Sequence, residues 1–226
     1  MIDRAHLAQL MKKEEKRYLA RTKKSGVLFK QAKKSMPGGV PMSWMTKWPG
    51  AYPLFVKSAK GAHFKDVDGN TYIDFCLGDT GSMTGHSPAP TVAAIKKQLS
   101  SGLTAMLPTE DAAVVGQTLS DRFGLPKWQF TLTATDANRH ILRYARHVTG
   151  RSKVVVHDYC YHGTVDETFA VLDDKGQTVS RENNIGPQVD PSETTIVVPF
   201  NDLDAAEKAF ATGDVAAALI EPAMTN

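Results

Sequence analysis

Three short runs toward the end of the chain, "KVVVH" (153–157), "TTIVVP" (194–199) and "VAAALIEP" (215–222), are apolar without alternation. A strand with one wet face alternates apolar and polar side chains, so runs that are apolar throughout belong to strands covered on both faces. Parallel sheets are built of such strands, because their crossovers carry helices over the faces. "NDLDAAEKAFATG" (201–213) supplies a helical pattern between the last two runs. The second part of the chain therefore reads as α/β.

The same alternation reaches back to Pro90. "PTVAAIKKQLSSG" places Val92, Ile95 and Leu99 on one helical face and stops at Gly102. "TEDAAVVGQTLSDRFG" offers Thr109 as an N-cap, acids for its first turn and Gly124 as a stop. "WQFTLT" (128–133) is expected as the first strand of this section. "DANRHILRYARHVTG" is expected as a helix with Ala137, Ile141, Tyr144 and Val148 turned inward and Gly150 at its end. Before Pro90, "GAHFKDVDGNTYIDF" (61–75) reads as an antiparallel hairpin about Asp68-Gly69, a dipeptide favoured in two-residue turns. "MPGGV" (36–40) is a turn cluster in which Gly38 and Gly39 permit positive φ. The expected organisation is a basic helical arm (1–35), a segment with a hairpin and a glycine loop (36–89), and the first part of a larger α/β domain (90–226). The stop at Asn226, directly after a buried-looking strand, reads as an interruption of the sheet.

Charge is unevenly spread. Of 27 lysines and arginines, 11 lie in residues 1–35 against three acids, leaving 16 against 21 acids in the rest. A basic arm suits phosphate-bearing partners, but this one lacks interleaved aromatics and any nucleic-acid motif. The plainer reading is a solvated helix whose Leu7, Leu10, Met11 and Tyr18 lie on a neighbouring surface. With 42% hydrophobic and 23% charged residues, no apolar run of about 18 residues and a lysine-rich start, the chain is expected in the cytoplasm, with no membrane partner. Cys76 and Cys160 fit no zinc pattern and read as free thiols.

Three stretches invite chemistry. In "FTLTATDAN" (130–138) a strand-like run gives way to a helix. A helix mouth presents unpaired backbone N–H groups and the positive end of its dipole, which together suit a phosphate. Thr133 and Thr135 would add hydroxyls, and Ala134 would let an anion approach. Ordinary capping by either threonine is the competing reading. "HDYCYHGTVDET" (157–168) should lie at the same edge of the sheet. Its His157 and His162 cannot face one metal on an extended segment without a bend. Tyr161 reads either as a flat ring presented to something flat or as a core aromatic. "GDTGSMTGHS" (78–87) imitates a P-loop but lacks the lysine and is one residue short between Gly81 and Gly85, so it reads as a flexible loop.

Taken in order, "MPGGV", "DVDGNTYIDF", "TGHSPAP", "FTLTATDAN…RYARHVTGRSKVVV", "YHG" and "IEPAMTN" resemble the class III aminotransferases, which use pyridoxal 5'-phosphate (PLP). The nearest branch resembles glutamate-1-semialdehyde aminomutases and β-amino-acid aminotransferases, over about residues 30–226. The resemblance implies a fold type I large domain, mainly a parallel sheet with helices on both faces, and incomplete here. It implies that Thr133, Ala134 and Thr135 take the Ser-Gly-Thr places of the phosphate loop and that Tyr161, beside His162, stacks on the cofactor ring. It further implies that Glu221 and Asn226 line the cofactor site, and that Trp44 and Met45, after Pro-Gly-Gly, meet substrate. A homodimer acting on a small-molecule amino donor and acceptor is implied as well. The family's Schiff-base lysine and the acid facing the ring nitrogen come later than "IEPAMTN". No catalytic residue is assigned to Lys127, Lys153 or Lys175, and 226 residues alone are expected to be inactive. A catalytically silent remnant that binds or interacts is the alternative. Two departures stand out. Ala134 replaces the loop glycine, and no arginine lies between Arg21 and Arg122 to hold a substrate carboxylate, Lys47 being a cation without the bidentate fork.

Overall fold

The computed structural model describes residues 3–224. The chain divides into two compact units, Met1–Thr109 and Glu110–Asn226.

In the first unit, Asp3 accepts from the N–H groups of Ala5 and His6 at 3.0 Å and starts α1 (Arg4–Arg21). This helix buries no residue. Of the apolar side chains expected on a neighbouring surface, Leu7, Leu10 and Met11 are 41–58% exposed, while Tyr18 packs on Tyr52 with ring centroids 5.4 Å apart. A kink at Thr22 leads into α2 (Lys23–Ala32), which buries Ser25, Gly26 and Ala32. A Cβ on Gly26 would meet the Tyr52 ring at 2.8 Å, so only glycine lets the aromatic lie against the helix. Gly38 and Gly39 take φ of 66° and 73° in the expected turn.

Three antiparallel strands follow, β1 (Val56–Lys60), β2 (His63–Asp66) and β3 (Thr71–Ile73), in the order β1-β2-β3. The hairpin forms where expected, but its turn is longer than two residues. Asp66 N–H donates to the Asn70 carbonyl at 3.0 Å, leaving Val67, Asp68 and Gly69 as the loop, with Gly69 at φ 95°. The reason lies in two acids. Buried Asp66 accepts from the Asn70 backbone and side chain and from the Tyr72 hydroxyl, while Asp68 reaches α2 and accepts from the N–H groups of Lys24 and Ser25. A turn residue thus caps a helix distant in sequence. α3 (Ala89–Leu99) closes the unit, with Ile95 and Leu99 exposed rather than buried.

The second unit opens with α4 (Asp111–Phe123). Its cap position is Glu110, not Thr109, and carries no side-chain bond, because Glu110 already has helical backbone angles. Gly124 ends the helix at φ 70°, as expected. The run "WQFTLT" is not a strand: among the described residues no strand pairs with it, and Phe130 and Leu132 are 58% and 99% exposed. β propensity without a neighbour leaves an extended segment. α5 (Ala134–Thr149) runs to Gly150, but turns a different face inward from the one expected. Leu142 is buried at 2%, whereas Ala137, Ile141, Tyr144 and Val148 are exposed.

β4 (Lys153–His157) follows, then a small antiparallel hairpin of β5 (Ala170–Leu172) and β6 (Thr178–Ser180), which the sequence reading did not include. A short α6 (Pro191–Thr194) leads to β7 (Thr195–Val198), α7 (Leu203–Ala211) and β8 (Val215–Leu219). β4 pairs in parallel with β7 and with β8, giving the order β7-β4-β8. Alternate side chains leave opposite faces of a strand. Val154 and Val156 accordingly join Leu142 of α5, Cys160, Val165 and Val197, while Val155 joins Val198, Val215 and Ala209 of α7. The sheet is covered on both sides, as its uniformly apolar strands require.

Candidate functional site

The C-terminal edge of the parallel sheet is where open α/β folds hold ligands. In the second unit that edge is reached by the segment leaving β4, by the N-terminus of α5 and by Glu221 just after β8.

Thr133 takes the capping role. Its hydroxyl accepts from Asp136 N–H at 3.0 Å and donates to the Asp136 carboxylate at 2.8 Å, so its one proton is already used within the first turn. Thr135 instead faces the segment leaving β4, where its Oγ1 accepts from Thr164 N–H at 3.2 Å, leaving its proton to donate elsewhere. The first turn also leaves the N–H groups of Ala134 and Thr135 without an intrahelical carbonyl. Ala134 opens the helix without a positive φ, so the backbone at this position does not require glycine.

Gly163 fits against Thr135 closely. Its φ is +80°, and an added Cβ would lie 2.0 Å from Thr135 Oγ1. Two more bonds fasten the turn: Asn138 Nδ2 donates to the His162 carbonyl at 3.0 Å, and Arg139 donates to the Thr164 carbonyl at 2.8 Å. Glu221 closes the other side, accepting from Tyr161 N–H at 3.1 Å. The Tyr161 ring is 53% exposed and is no core aromatic. Thr135, Tyr161, His162 and Glu221 are thereby brought together, with Ala134 beside them in α5. Asn226 lies outside the described residues.

His162 is buried at 8%, and among the described residues its Nε2 has no hydrogen-bond partner. Burial pushes its pKa down, opposed by the Glu221 charge and a bond to the Leu219 backbone, so the ring favours the neutral form. Burial, helped by Glu221, also pushes the Cys160 thiol up to about 11, so this cysteine is an inert part of the core. His157 lies edge-on to Phe200, and among the described residues no three metal-type side chains gather. Lys153 begins β4, at the opposite end of the strand from His157. Trp44 and Met45 belong to the first unit, on a 3-10 turn over Ser43–Thr46. There Trp44 is 56% exposed and donates to Met42 Sδ at 3.1 Å, and Met45 is half-buried.

Sequence reasoning missed the fastening residues Asn138, Arg139 and Thr164. A signal existed for the first two: they stand three and four positions after Thr135, on the helix face that Thr135 occupies.

Comparison with known proteins gives four consistent matches. The profile of the Aminotransferase class-III family matches residues 44–226. A crystal structure of a glutamate-1-semialdehyde aminomutase from Pseudomonas aeruginosa PAO1 matches with a TM-score of 0.94 and 47% identity, covering 100% of this chain and 50% of that one. A crystal structure of a lysine-to-alanine variant of that enzyme in complex with PMP matches equally well. Glutamate-1-semialdehyde 2,1-aminomutase from Methanocaldococcus jannaschii is 35% identical over 208 residues, 90% of this chain and 48% of that protein. The chain spans about half the length of the curated relatives it matches.

Proposed function

Since the chain belongs to the class-III aminotransferase family, we propose that it binds PLP and serves an aminotransferase or aminomutase reaction, moving an amino group between an amino acid or amine and an oxo acid or aldehyde. The observation that carries this reading is the close seating of Gly163 on Thr135, which fixes an exposed aromatic ring beside a helix mouth. The residues present fit the cofactor: a donor-rich first turn for its phosphate, a flat ring, and a buried histidine nitrogen still seeking a partner.

PLP, when bound, supplies an electron-withdrawing ring for chemistry at the carbon bearing the amino group. The chain's own part is positional. The N–H groups of Ala134 and Thr135 and the Thr135 hydroxyl would hold the phosphate, with the α5 dipole behind them. Thr133 keeps that turn in shape through Asp136 rather than meeting the phosphate with its hydroxyl. Tyr161 would lie on the cofactor ring, kept in place by Glu221, Asn138 and Arg139. Neutral His162 presents Nε2 as an acceptor at the sheet edge. Trp44 and Met45 are proposed substrate contacts, and Asn226 a further contact to the cofactor.

The whole protein is proposed to act as a cytoplasmic homodimer on a small-molecule amino donor and acceptor. Exposed Ile141, Tyr144 and Val148 support an assembly that covers this side of α5. No described helix is long and apolar enough to cross a membrane. A second reading, in which the chain holds PLP without turning it over, is favoured by the placing of Lys153 at the far end of β4 from the site.

Titration of the purified chain with PLP, followed by absorbance and Tyr161-sensitive fluorescence, tests the binding. Saturable binding that weakens at least about tenfold in Gly163→Ala is expected, since a methyl there must displace Thr135. Equal affinity in the two proteins would overturn the proposed site. Borohydride trapping with peptide mapping then separates the two readings: a single modified lysine supports the enzyme, and none supports the holding protein.

A further inference from the structure

The loop "GDTGSMTGHS" plays no part in the reading above, yet in the first unit it closes a chain of three side chains. His86 Nε2 lies 2.6 Å from Asp74 Oδ2, and His86 Nδ1 lies 3.2 Å from Ser82 Oγ. We propose that Ser82, His86 and Asp74 form a serine-hydrolase centre that cleaves small carboxylic esters with apolar acyl groups.

The protonation pattern follows from the partners. Asp74 Oδ1 already accepts from the N–H groups of Cys76 and Leu77 at 2.9 and 3.0 Å, which turns Oδ2 toward the histidine. The hydrogen bond from His86 holds the Asp74 carboxyl below the usual carboxylate range, so it stays ionised and can only accept. The imidazole proton therefore sits on Nε2, and the lone pair on Nδ1 faces the Ser82 hydroxyl. These are the roles of nucleophile, base and orienting acid in a catalytic triad, with the imidazole turned the other way round from the serine-protease arrangement, Nδ1 rather than Nε2 facing the serine. The Asp74 and His86 side chains are only 10% and 20% exposed, which shields the pair from water.

Space and strain point the same way. A Cβ on Gly78 would stand 3.1 Å from Ser82 Oγ and 3.8 Å from His86 Cε1, so the missing side chain leaves the serine–histidine pair open from that side. Leu77, Gly78, Asp79 and Thr80 all have positive φ, between 56° and 68°, a strained run of the kind that gathers at functional sites. Ser82 N–H donates to the Leu77 carbonyl at 2.7 Å, which draws partly exposed Leu77 beside the serine, and Met83, the next residue, is 72% exposed. Both offer apolar surface to an acyl group.

In the reaction, Ser82 Oγ adds to the ester carbonyl carbon while its proton passes to His86 Nδ1. The bond to the alcohol oxygen breaks, and the alcohol leaves with that proton. Water then adds to the acyl-serine, giving a proton to His86, and Ser82 departs by taking it back. Ester and water become acid and alcohol, with no other reactant.

The test uses the full chain, a fluorophosphonate probe with peptide mapping, and p-nitrophenyl acetate hydrolysis. The expected result is stoichiometric labelling at Ser82, with hydrolysis falling at least about 100-fold in Ser82→Ala and His86→Gln. Ser82→Ala removes one hydroxyl and is checked for folding by circular dichroism. Absence of label at Ser82 in the unaltered protein, or unchanged hydrolysis in folded Ser82→Ala, would show that the three side chains merely pin the loop. PLP affinity is a separate readout, so failure here leaves the aminotransferase proposal standing.

Discussion

Among the described residues, the largest side chains fully removed from water in the first unit are Thr22, Ser25 and Asp66; in the second they include Leu142, Val154, Val156 and Val165. The first interior is organised by hydrogen bonds, two of them reaching across the sequence, from Ser25 N–H to Asp68 and from the Tyr52 hydroxyl to the Thr22 carbonyl, and one within the hairpin, from the Tyr72 hydroxyl to Asp66. The second is organised by apolar packing on both faces of a parallel sheet. The two should therefore fail differently. Damage to the second leaves a void, and damage to the first leaves donors without acceptors.

The largest expected effect is on the apolar side. Leu142→Ala should destabilise the second unit by about 2–5 kcal/mol, because a buried leucine leaves a cavity that a sheet covered on both faces cannot collapse into. Hydrogen exchange read by mass spectrometry should show β4, β7 and β8 losing protection while β1–β3 keep theirs. Loss spread evenly over both units would erase the contrast. Asp66→Ala should cost the first unit about 1–3 kcal/mol, by stranding Asn70 and the Tyr72 hydroxyl. The same exchange measurement should then show the reverse pattern.

Acid should sharpen the comparison with a smaller effect. His162 resists protonation in the fold, so the unfolded chain binds its proton first. Its contribution is complete above the ordinary histidine value of about 6.5 and declines as pH falls below it. For Asp66, burial raises the pKa, but the bonds from Asn70, Tyr72 and Gly69 outweigh it and leave the carboxyl lowered. Its contribution persists down to the ordinary aspartate value of about 3.9 and is lost only as pH falls through the lower folded value. On acidification the second unit should loosen before the first, as seen by exchange at stepped pH. His162→Gln should remove part of the early loss.

The parallel strands were legible because Val154–Val156 and Ile196–Val198 are apolar in every position, a pattern that only burial on both faces explains. The hairpin was legible from alternation about Asp68-Gly69, but its turn length was not, because Asp66 and Asp68 have partners in Asn70, Tyr72 and α2. The face of α5 was misread because the helix is apolar on two sides. Ile141, Tyr144 and Val148 form the longer stripe, while the sheet selects Leu142. "WQFTLT" has strand propensity but no paired strand among the described residues, which no local pattern reports. At the candidate site, the positions of Thr135, Tyr161 and Glu221 were legible through the order of the motifs. Their fastening was not, because Asn138 and Arg139 bond to backbone carbonyls, which carry no residue-type signature.

The order β7-β4-β8 also sets a timetable for synthesis. β4 is made first of the three strands, yet it becomes the middle one, and both of its edges are filled by segments that leave the ribosome later. From the moment Val154–Val156 emerge until Thr195–Val198 arrive, the most water-averse stretch of the sheet has two open edges. One of them stays open until Val215–Leu219 has been added. A nascent chain held in that interval presents a bare strand to whatever is nearby, so the demand for chaperones during translation should peak between the completion of β4 and the arrival of β8.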